Sequence, residues 1–332
     1  MFRVSVIIPT YNRAHLLIQA IESVLAQTYP PHEIVVVDDG STDGTAGELQ
    51  AFLNSPRRPE IPIVYVRQNQ AGASVARSTG MTAVQGDWIA FLDSDDRWLP
   101  DKLESQCQAI SKFRDSCGAC VTDASYTNNP QLKQTAFQLA ETQLDGMFGV
   151  WPNAAASIAS GHNGMYLQTL IVRTEVGRSI GGFDASLALS EDTDFLFRVA
   201  GRTGICYVNR PLVQIDRTPN REVGMIEFAQ GESFRLQTCQ HLFEKWLEGE
   251  EVHIPGVRKG IMRQLQELYD AWASWHLLRG DIEKALDALS HALRCRLTFK
   301  TSLKWLMTKW MPGITKTMIL KQRQTRPAKV LF

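Results

Sequence analysis

Trp88-Ile89-Ala90-Phe91-Leu92-Asp93-Ser94-Asp95-Asp96 is the stretch that decides the fold. Five apolar residues in a row, too few for a helix and closed by acids, read as a strand buried on both faces. The carboxylates follow at once, so they stand at the strand's carboxyl end. Residues 93 and 95 project to the same side of an extended chain. Two carboxylates so placed repel unless a cation lies between them. Oxygen-only donors favour a hard ion, Mg²⁺ or Mn²⁺. Such an ion commonly binds through one or two carboxylates and completes its shell with water and phosphate. The plainer alternative is a solvated turn in which Asp96 prepares the next helix.

The same grammar repeats upstream. An apolar run at residues 4–8 ends at Pro9, and residues 14–27 follow with Leu16, Leu17, Ala20, Ile21, Val24 and Leu25 at helical spacing. A second run at 33–37 closes on Asp38-Asp39-Gly40-Ser41. A helix at 45–53, a run at 62–67 and a helix at 73–84 lead to the fourth strand at 87–92. Downstream, Pro100 suits the first residue of a helix reaching Phe113, and residues 118–122 form a fifth strand. Strands alternating with helices imply an α/β domain, a mostly parallel sheet flanked by helices, with ligands beyond the carboxyl ends of the strands. Thr10-Tyr11-Asn12, Asp38-Asp39 and the 93–96 acids then gather on one edge. There Asp39 can accept a hydrogen bond from a nucleobase imide, and Tyr11 offers a face for stacking the base. Residues 38–45 also suit a glycine-containing loop and helix cap, but at a strand end they fit a nucleotide pocket better than a bare turn.

Residues 125–165 have little periodicity and read as a long variable insertion that shapes an acceptor pocket. Pattern returns at 166–172, at Gly181-Gly182-Phe183-Asp184, in a helix at 191–200, and in short strands at 205–208 and 212–215. Ser190 is expected to cap that helix. Asp192 shares a stripe with Phe195, Leu196 and Val199, so it should face inward as a structural hydrogen-bond partner or a general base. Asp194, four residues before Arg198, should form an outer ion pair. Beyond residue 219 the chain turns helical, at 227–247, 257–279 and 282–293, with Gly280-Asp281 as a stop and restart. The expected domains are 1–218 and 219–332.

The chain has 332 residues, 44% hydrophobic and 21% charged, with 35 basic and 35 acidic residues. Zero net charge excludes a globally basic nucleic-acid coat. Yet residues 288–332 carry ten Lys/Arg and no Asp or Glu, which leaves 25 bases against 35 acids in residues 1–287. In this basic tail Phe299, Leu303, Leu306, Met307 and Trp310 follow helical spacing, Ile314, Met318 and Ile319 resume it after Pro312, and Lys300 and Lys304 flank it. Two readings stay open: a helix lying on an anionic membrane surface, or one packed on the acidic body. No recognition motif for nucleic acid accompanies the charge. No apolar run approaches the ~18 residues of a membrane span, and no charged-then-apolar leader opens the chain. The expected compartment is the cytoplasm, with peripheral attachment to the inner membrane face open. Of six cysteines only Cys117-Gly-Ala-Cys120 has motif-like spacing, and it reads as two small residues on a strand.

Taken in order and spacing, these segments resemble family 2 glycosyltransferases with the GT-A fold. The carriers are Val6-Ile7-Ile8-Pro9-Thr10-Tyr11-Asn12-Arg13, residues 35–45, Asn69-Gln70-Ala71-Gly72 with Ala76-Arg77, residues 86–96, and Gly181-Gly182-Phe183-Asp184 with Glu191-Asp192. The resemblance covers about residues 3–217, leaving a C-terminal helical extension. It implies transfer of a sugar from a nucleoside-diphosphate sugar, a UDP-sugar first among them, to a hydroxyl on a sugar or lipid-linked acceptor, with inversion. By motif, Pro9, Thr10, Tyr11, Asn12 and Asp39 would hold the nucleotide. Arg77 and Asp93 would lie by the donor, Asp95 would bind the divalent cation, and Asp192 would be the base. Ser78 stands where members often have Asn, and no His occurs in residues 216–220. The alternative is a non-catalytic nucleotide-sugar binder or membrane-surface scaffold that keeps the fold.

Overall fold

A computed structural model of the chain describes residues 2–55, 60–162, 164–218 and 226–325. The expected junction after residue 218, Arg326 and Lys329 lie outside the described residues. Two compact units are present. The first comprises Met1–Ala154, His162–Ser186 and Glu191–Asn220; the second comprises Ala155–Gly161, Leu187–Ser190 and Arg221–Phe332.

The first unit opens with β1 (Val4–Thr10), α1 (Ala14–Leu25), β2 (Glu33–Asp38), α2 (Thr45–Leu53), β3 (Ile63–Arg67), α3 (Ala73–Ala83) and β4 (Trp88–Phe91). It continues through β5 (Arg97–Trp98), α4 (Lys102–Phe113), β6 (Cys117–Thr127), α5 (Ala136–Leu139) and β7 (Phe148–Val150). After α6 (Ala154–Ala159), which belongs to the second unit from Ala155 on, the first unit resumes with a 3₁₀ turn (Leu167–Thr169), β8 (Ile171–Arg173), α7 (Thr174–Ser179), α8 (Glu191–Arg202) and β9 (Gly204–Asp216). Every residue of β1, β2 and β4 is buried, as continuous apolar runs covered by helices on both sides require. Helix α1 seals one face with Leu17, Ala20, Ile21 and Val24, one stripe at 3.6-residue spacing.

The strand order is β3-β2-β1-β4-β8-β6-β9-β5, with β7 also on β9. Pairings among β3, β2, β1 and β4 are parallel. Beyond β4 the sheet is mixed: β8 is antiparallel to β4 and β6, while β6 and β9 are parallel. From β1 the chain passes to β2 on one side and later to β4 on the other. A crevice therefore opens at their carboxyl ends, where the two connections diverge.

Several expectations need correction. Residues 125–165, weak in periodicity, nevertheless hold regular elements: β6 runs on to Thr127 along β9, and α5, β7 and α6 follow. The two short strands at 205–208 and 212–215 are one strand, β9, whose register against β6 shifts near Asp123 and so absorbs Asn209 and Arg210. Helix α4 starts at Lys102, so Pro100 precedes its cap, Asp101. Ser190 adopts φ +62°, the left-handed region rather than the extended backbone of an N-cap. Cys117 and Cys120 are buried within β6.

The second unit holds α9 (Ile226–Glu248, broken at Gly231), α10 (Val257–Leu278), α11 (Ile282–Cys295), α12 (Phe299–Trp310) and α13 (Pro312–Thr325). The stop and restart at 280–281 is present: Gly280 takes φ +86° and the Asp281 carboxylate accepts from the Lys284 amide. Lys304 does not flank the apolar stripe of the tail. It turns inward and donates to the Asp270 carbonyl and Ser274 Oγ, while Ile319 is buried. Among the described residues no helix is long and apolar enough to cross a membrane.

Candidate active site

Three strand ends build one crevice edge. At the end of β1, Thr10 is buried, Tyr11 is half-buried, and Asn12 adopts φ +50°. The β2 end is stitched to it. The Asp39 amide donates to the Thr10 carbonyl, the Asn12 amide to Ser41 Oγ (2.9 Å), and the Thr42 amide to Asn12 Oδ1 (2.8 Å). Pro9 sits within β1 opposite Val37 and is fully covered.

Asp39 is 5% exposed and clasps the loop that precedes α3. Its Oδ1 accepts from Gln68 Nε2 (2.7 Å) and the Ala71 amide (2.8 Å), and its Oδ2 from the Gly72 amide (2.7 Å). A carboxylate has about four acceptor positions, so three donors leave room for one more. This clasp holds the Asn69-Gln70-Ala71-Gly72 segment against the β2 end.

At the β4 end the acids are bound by arginines. Arg13 Nη1 meets Asp95 Oδ1 at 2.7 Å. Arg77, on α3, is 6% exposed and reaches two acids at once, Asp93 (2.9 Å) and Glu191 at the start of α8 (2.7 Å). Its guanidinium lies 5.7 Å from the Phe183 ring centroid, and Phe183, Phe195 and Phe91 form one aromatic cluster. Gly182 takes φ +71°, and the Phe183 amide donates to Ser78 Oγ. Thus Ser78, which departs from the family pattern, supports the ring beside Arg77.

The electrostatics follow from burial and crowding. Burial alone would lower Arg77, but Asp93 and Glu191 outweigh it and hold its pKa above the ordinary value. Burial raises the Asp93 carboxyl, but Arg77, Arg13 and the Gln168 amide overcome that and hold it low. For Glu191 burial wins: its carboxyl is raised despite Arg77, with the charge of Asp192 adding to the rise. Asp96 is pushed well up, first by burial and then by the negative charge of Asp93 and Asp95. Its Oδ1 accepts the Asp216 amide and ties the β9 end to the site.

The structure corrects the reading of α8. Asp194, not Asp192, is the buried acid; it pairs with Arg198 (2.7 Å), and Arg198 also donates to the carbonyls of Ile180 and Gly182. The ion pair is therefore internal, and it fixes the Gly181-Gly182 loop. Asp192 is half-exposed in the first turn, where its Oδ1 accepts from the Thr193 amide at 2.7 Å.

Sequence reasoning missed four contributors: Arg13, Glu191, Gln168 and Lys102. Gln168 donates from Nε2 to Asp93 Oδ2. Its own carbonyl accepts from Trp98 Nε1 (3.1 Å), and the next carbonyl, of Thr169, accepts from Gln106 Nε2 (2.9 Å). Lys102 stands behind both. It is fully buried, donates to Gln106 Oε1 (2.9 Å) and lies 3.8 Å from the Trp98 ring centroid. The available signal was the polar pair Gln168-Thr169 inside an otherwise apolar run.

Among the described residues no group of three or more His, Cys, Asp or Glu is arranged to hold a metal alone. The residues nevertheless fit a cation that takes most of its shell from water and phosphate. Asp93 and Asp95 supply hard oxygens, and their surplus negative charge already raises Asp96. Thr10 Oγ1, Arg77 Nε and Gln168 Oε1 are buried without a hydrogen-bond partner, which suits a polar ligand at this edge.

Residues 5–172 match the family described as glycosyl transferase family 2. The chain is 46% identical over 122 residues to a Bacillus subtilis protein named as a teichuronic acid biosynthesis glycosyltransferase, TuaG; the match covers 37% of this chain and 46% of that one. It is 39% identical over 111 residues to the Escherichia coli UDP-Glc:alpha-D-GlcNAc-diphosphoundecaprenol beta-1,3-glucosyltransferase WfgD, covering 33% and 42%. The chain thus spans less than half the length of these two relatives. Among solved structures it resembles S. aureus TarS 1-349 in complex with UDP-GlcNAc, with TM-score 0.64, 17% identity, and 98% and 93% of the chains covered. At that identity the likeness establishes the fold.

Proposed function

The chain belongs to glycosyl transferase family 2, and from that premise we propose that it moves a sugar from a nucleoside-diphosphate sugar to an acceptor hydroxyl, with inversion, in the synthesis of cell-surface polysaccharide or glycoconjugate. One observation carries the reading. Arg77 joins Asp93 at the β4 end to Glu191 at the start of α8, so acids far apart in sequence line one crevice. UDP-GlcNAc bound to the TarS fragment and the UDP-Glc named for the E. coli relative support a UDP-sugar as donor. The lipid diphosphate in the latter name supports a lipid-linked acceptor.

Position supports the following roles. Tyr11 and Asp39 bound the base end of the crevice; Asp39 uses its remaining acceptor position on the base imide, and Pro9, Thr10 and Asn12 fix that corner. Arg77 and Asp93 hold the donor's ribose and diphosphate end. Asp95, with Asp93 beside it, would hold a divalent cation, which when bound offsets charge on the departing nucleoside diphosphate. Asp192 sits in the first turn of α8 with one oxygen engaged by the Thr193 amide. Its carboxylate takes the acceptor proton as that hydroxyl attacks the face opposite the leaving group. Because a carboxylate is a weak base, the proton moves late, and holding the two substrates in line supplies much of the rate.

Two measurements test this. A thermal-shift panel of nucleotide sugars, with and without Mn²⁺, should raise the melting temperature for at least one donor. With that donor, Asp192→Asn should cut turnover by about 10²–10⁴-fold while keeping the shift. No response to any nucleotide sugar, or full turnover in the Asn variant, would overturn the proposal.

A further inference from the structure

Helix α12 is built inside out. Its inward positions are polar. Thr301 is fully buried, accepts from Gln266 Nε2 (3.0 Å) and donates to the Asp270 carboxylate (3.0 Å). Lys304 donates to the Asp270 carbonyl (2.8 Å) and Ser274 Oγ (3.0 Å), and Thr308 is fully buried. Its outward positions are apolar: Phe299 is 84% exposed, Trp310 72%, and Leu303 and Leu306 are about half exposed. Helix α13 repeats the arrangement, with Thr315 and Ile319 inside and Ile314 and Met318 outside. Of thirteen large exposed hydrophobics among the described residues, nine lie between Leu297 and Leu320. The rotation is fixed from within. Turning α12 to bury its apolar face would take Thr301 and Lys304 away from Asp270 and Ser274, stranding buried polar groups.

We propose that the outer faces of α12 and α13 form a docking surface for an anionic lipid bilayer. Charge selects this occupant. Arg294, Arg296, Lys300, Lys309 and Lys321 are exposed around the apolar face, and no Asp or Glu occurs after Asp287. A second copy would bring two basic rims together, whereas an anionic leaflet attracts both the rim and the apolar face. Lys309 lies 5.6 Å from the Trp310 ring centroid. Its stem and the indole thus form one amphipathic edge suited to the headgroup level. Long basic stems reach the phosphates while Phe299, Leu303 and Trp310 enter the acyl boundary. This surface stands independently of the transfer reaction.

The test is co-sedimentation of the full chain with vesicles of phosphatidylcholine alone or with about one third phosphatidylglycerol. Binding should be at least tenfold stronger with phosphatidylglycerol and should fall in 1 M NaCl. Trp310→Glu and, separately, the pair Lys300→Gln and Lys309→Gln should each weaken it at least tenfold. Because these side chains are exposed, the melting temperature should not move. Equal binding to both vesicles, or undiminished binding in both variants, overturns the proposal. So does a sedimentation-velocity dimer that Trp310→Glu dissociates, which would assign the face to a second copy. A partner protein of acidic surface is the remaining outcome, recognised by binding that survives without lipid, and it too overturns the assignment.

Discussion

Lys102 offers the sharpest test of the packing behind Asp93. It is fully buried, its ammonium donates to the neutral Gln106 amide oxygen, and burial pulls its pKa from 10.5 down to about 7. That interval, at 1.36 kcal/mol per pH unit, sets the cost of burying the ammonium at roughly 5 kcal/mol at most. Because the folded value is the depressed one, stability is fully present above about pH 10.5 and is lost as pH falls through about 7. Between those limits the unfolded chain binds a proton that the folded chain has released. Linkage then gives a gain of roughly 1.4 kcal/mol for the native protein between pH 6 and pH 8. Trp98 opposes this, since its ring favours the charged form and moves the inflection upward. The perturbation is Lys102→Met, which keeps the volume and removes the proton site. Urea melts of both proteins at pH 6, 7, 8 and 9 give a stability difference in which all other titrations cancel. The difference should move toward the native protein by about 2–3 kcal/mol between pH 6 and pH 9. A flat difference would show that the ammonium keeps its charge in the fold, and the argument from burial would be wrong.

Three further outcomes are expected. Arg77→Met strands Asp93 and Glu191, both less than one quarter exposed; urea melts should show a loss of about 3–5 kcal/mol, and a loss below 1 kcal/mol would deny the bridge its role. Asp39→Asn puts an amide NH₂ against at least one of three backbone or side-chain donors. It should cost about 1–3 kcal/mol and abolish any donor-induced thermal shift; a retained shift would remove Asp39 from the base pocket. Gly86→Ala would set a Cβ 2.6 Å from the Arg3 carbonyl and Ser5 Oγ. A calorimetric loss of about 1–3 kcal/mol is expected, and an unchanged melting temperature would mean that this strand entry has slack.

What the sequence made legible was local. β1, β2 and β4 are uninterrupted apolar runs, and α2 was delimited at Thr45–Leu53 because turn chemistry at Asp43-Gly44 sets its start. β9 was read as two strands because Asn209 and Arg210 break the run, and only the register shift against β6 reveals continuity. A strand's own residues do not report its partner. The α8 acids failed for a related reason. Helical spacing gave Asp192 the inward stripe, but the tie from Arg198 to the carbonyls of Ile180 and Gly182 drew Asp194 inside instead. Arg77 was visible as a motif residue, whereas its partner Glu191 was hidden by the more familiar Asp beside it. Gln168 and Lys102 act through buried contacts between segments distant in sequence, which periodicity does not encode.

The place of β9 also governs the order in which the sheet can close. β5, β6 and β7 all pair with it, and it is the last strand of the first unit to leave the ribosome. β1 to β4 can assemble as soon as they emerge, because their partners are already made. β8 can then join β4 and bring β6 in beside it, but β5 and β7 wait for residues 204–216, so β5 bridges more than a hundred residues of chain before it gains a neighbour. A nascent chain stalled before β9 would therefore expose the unpaired edge of β6, and that interval is when chaperones would matter most.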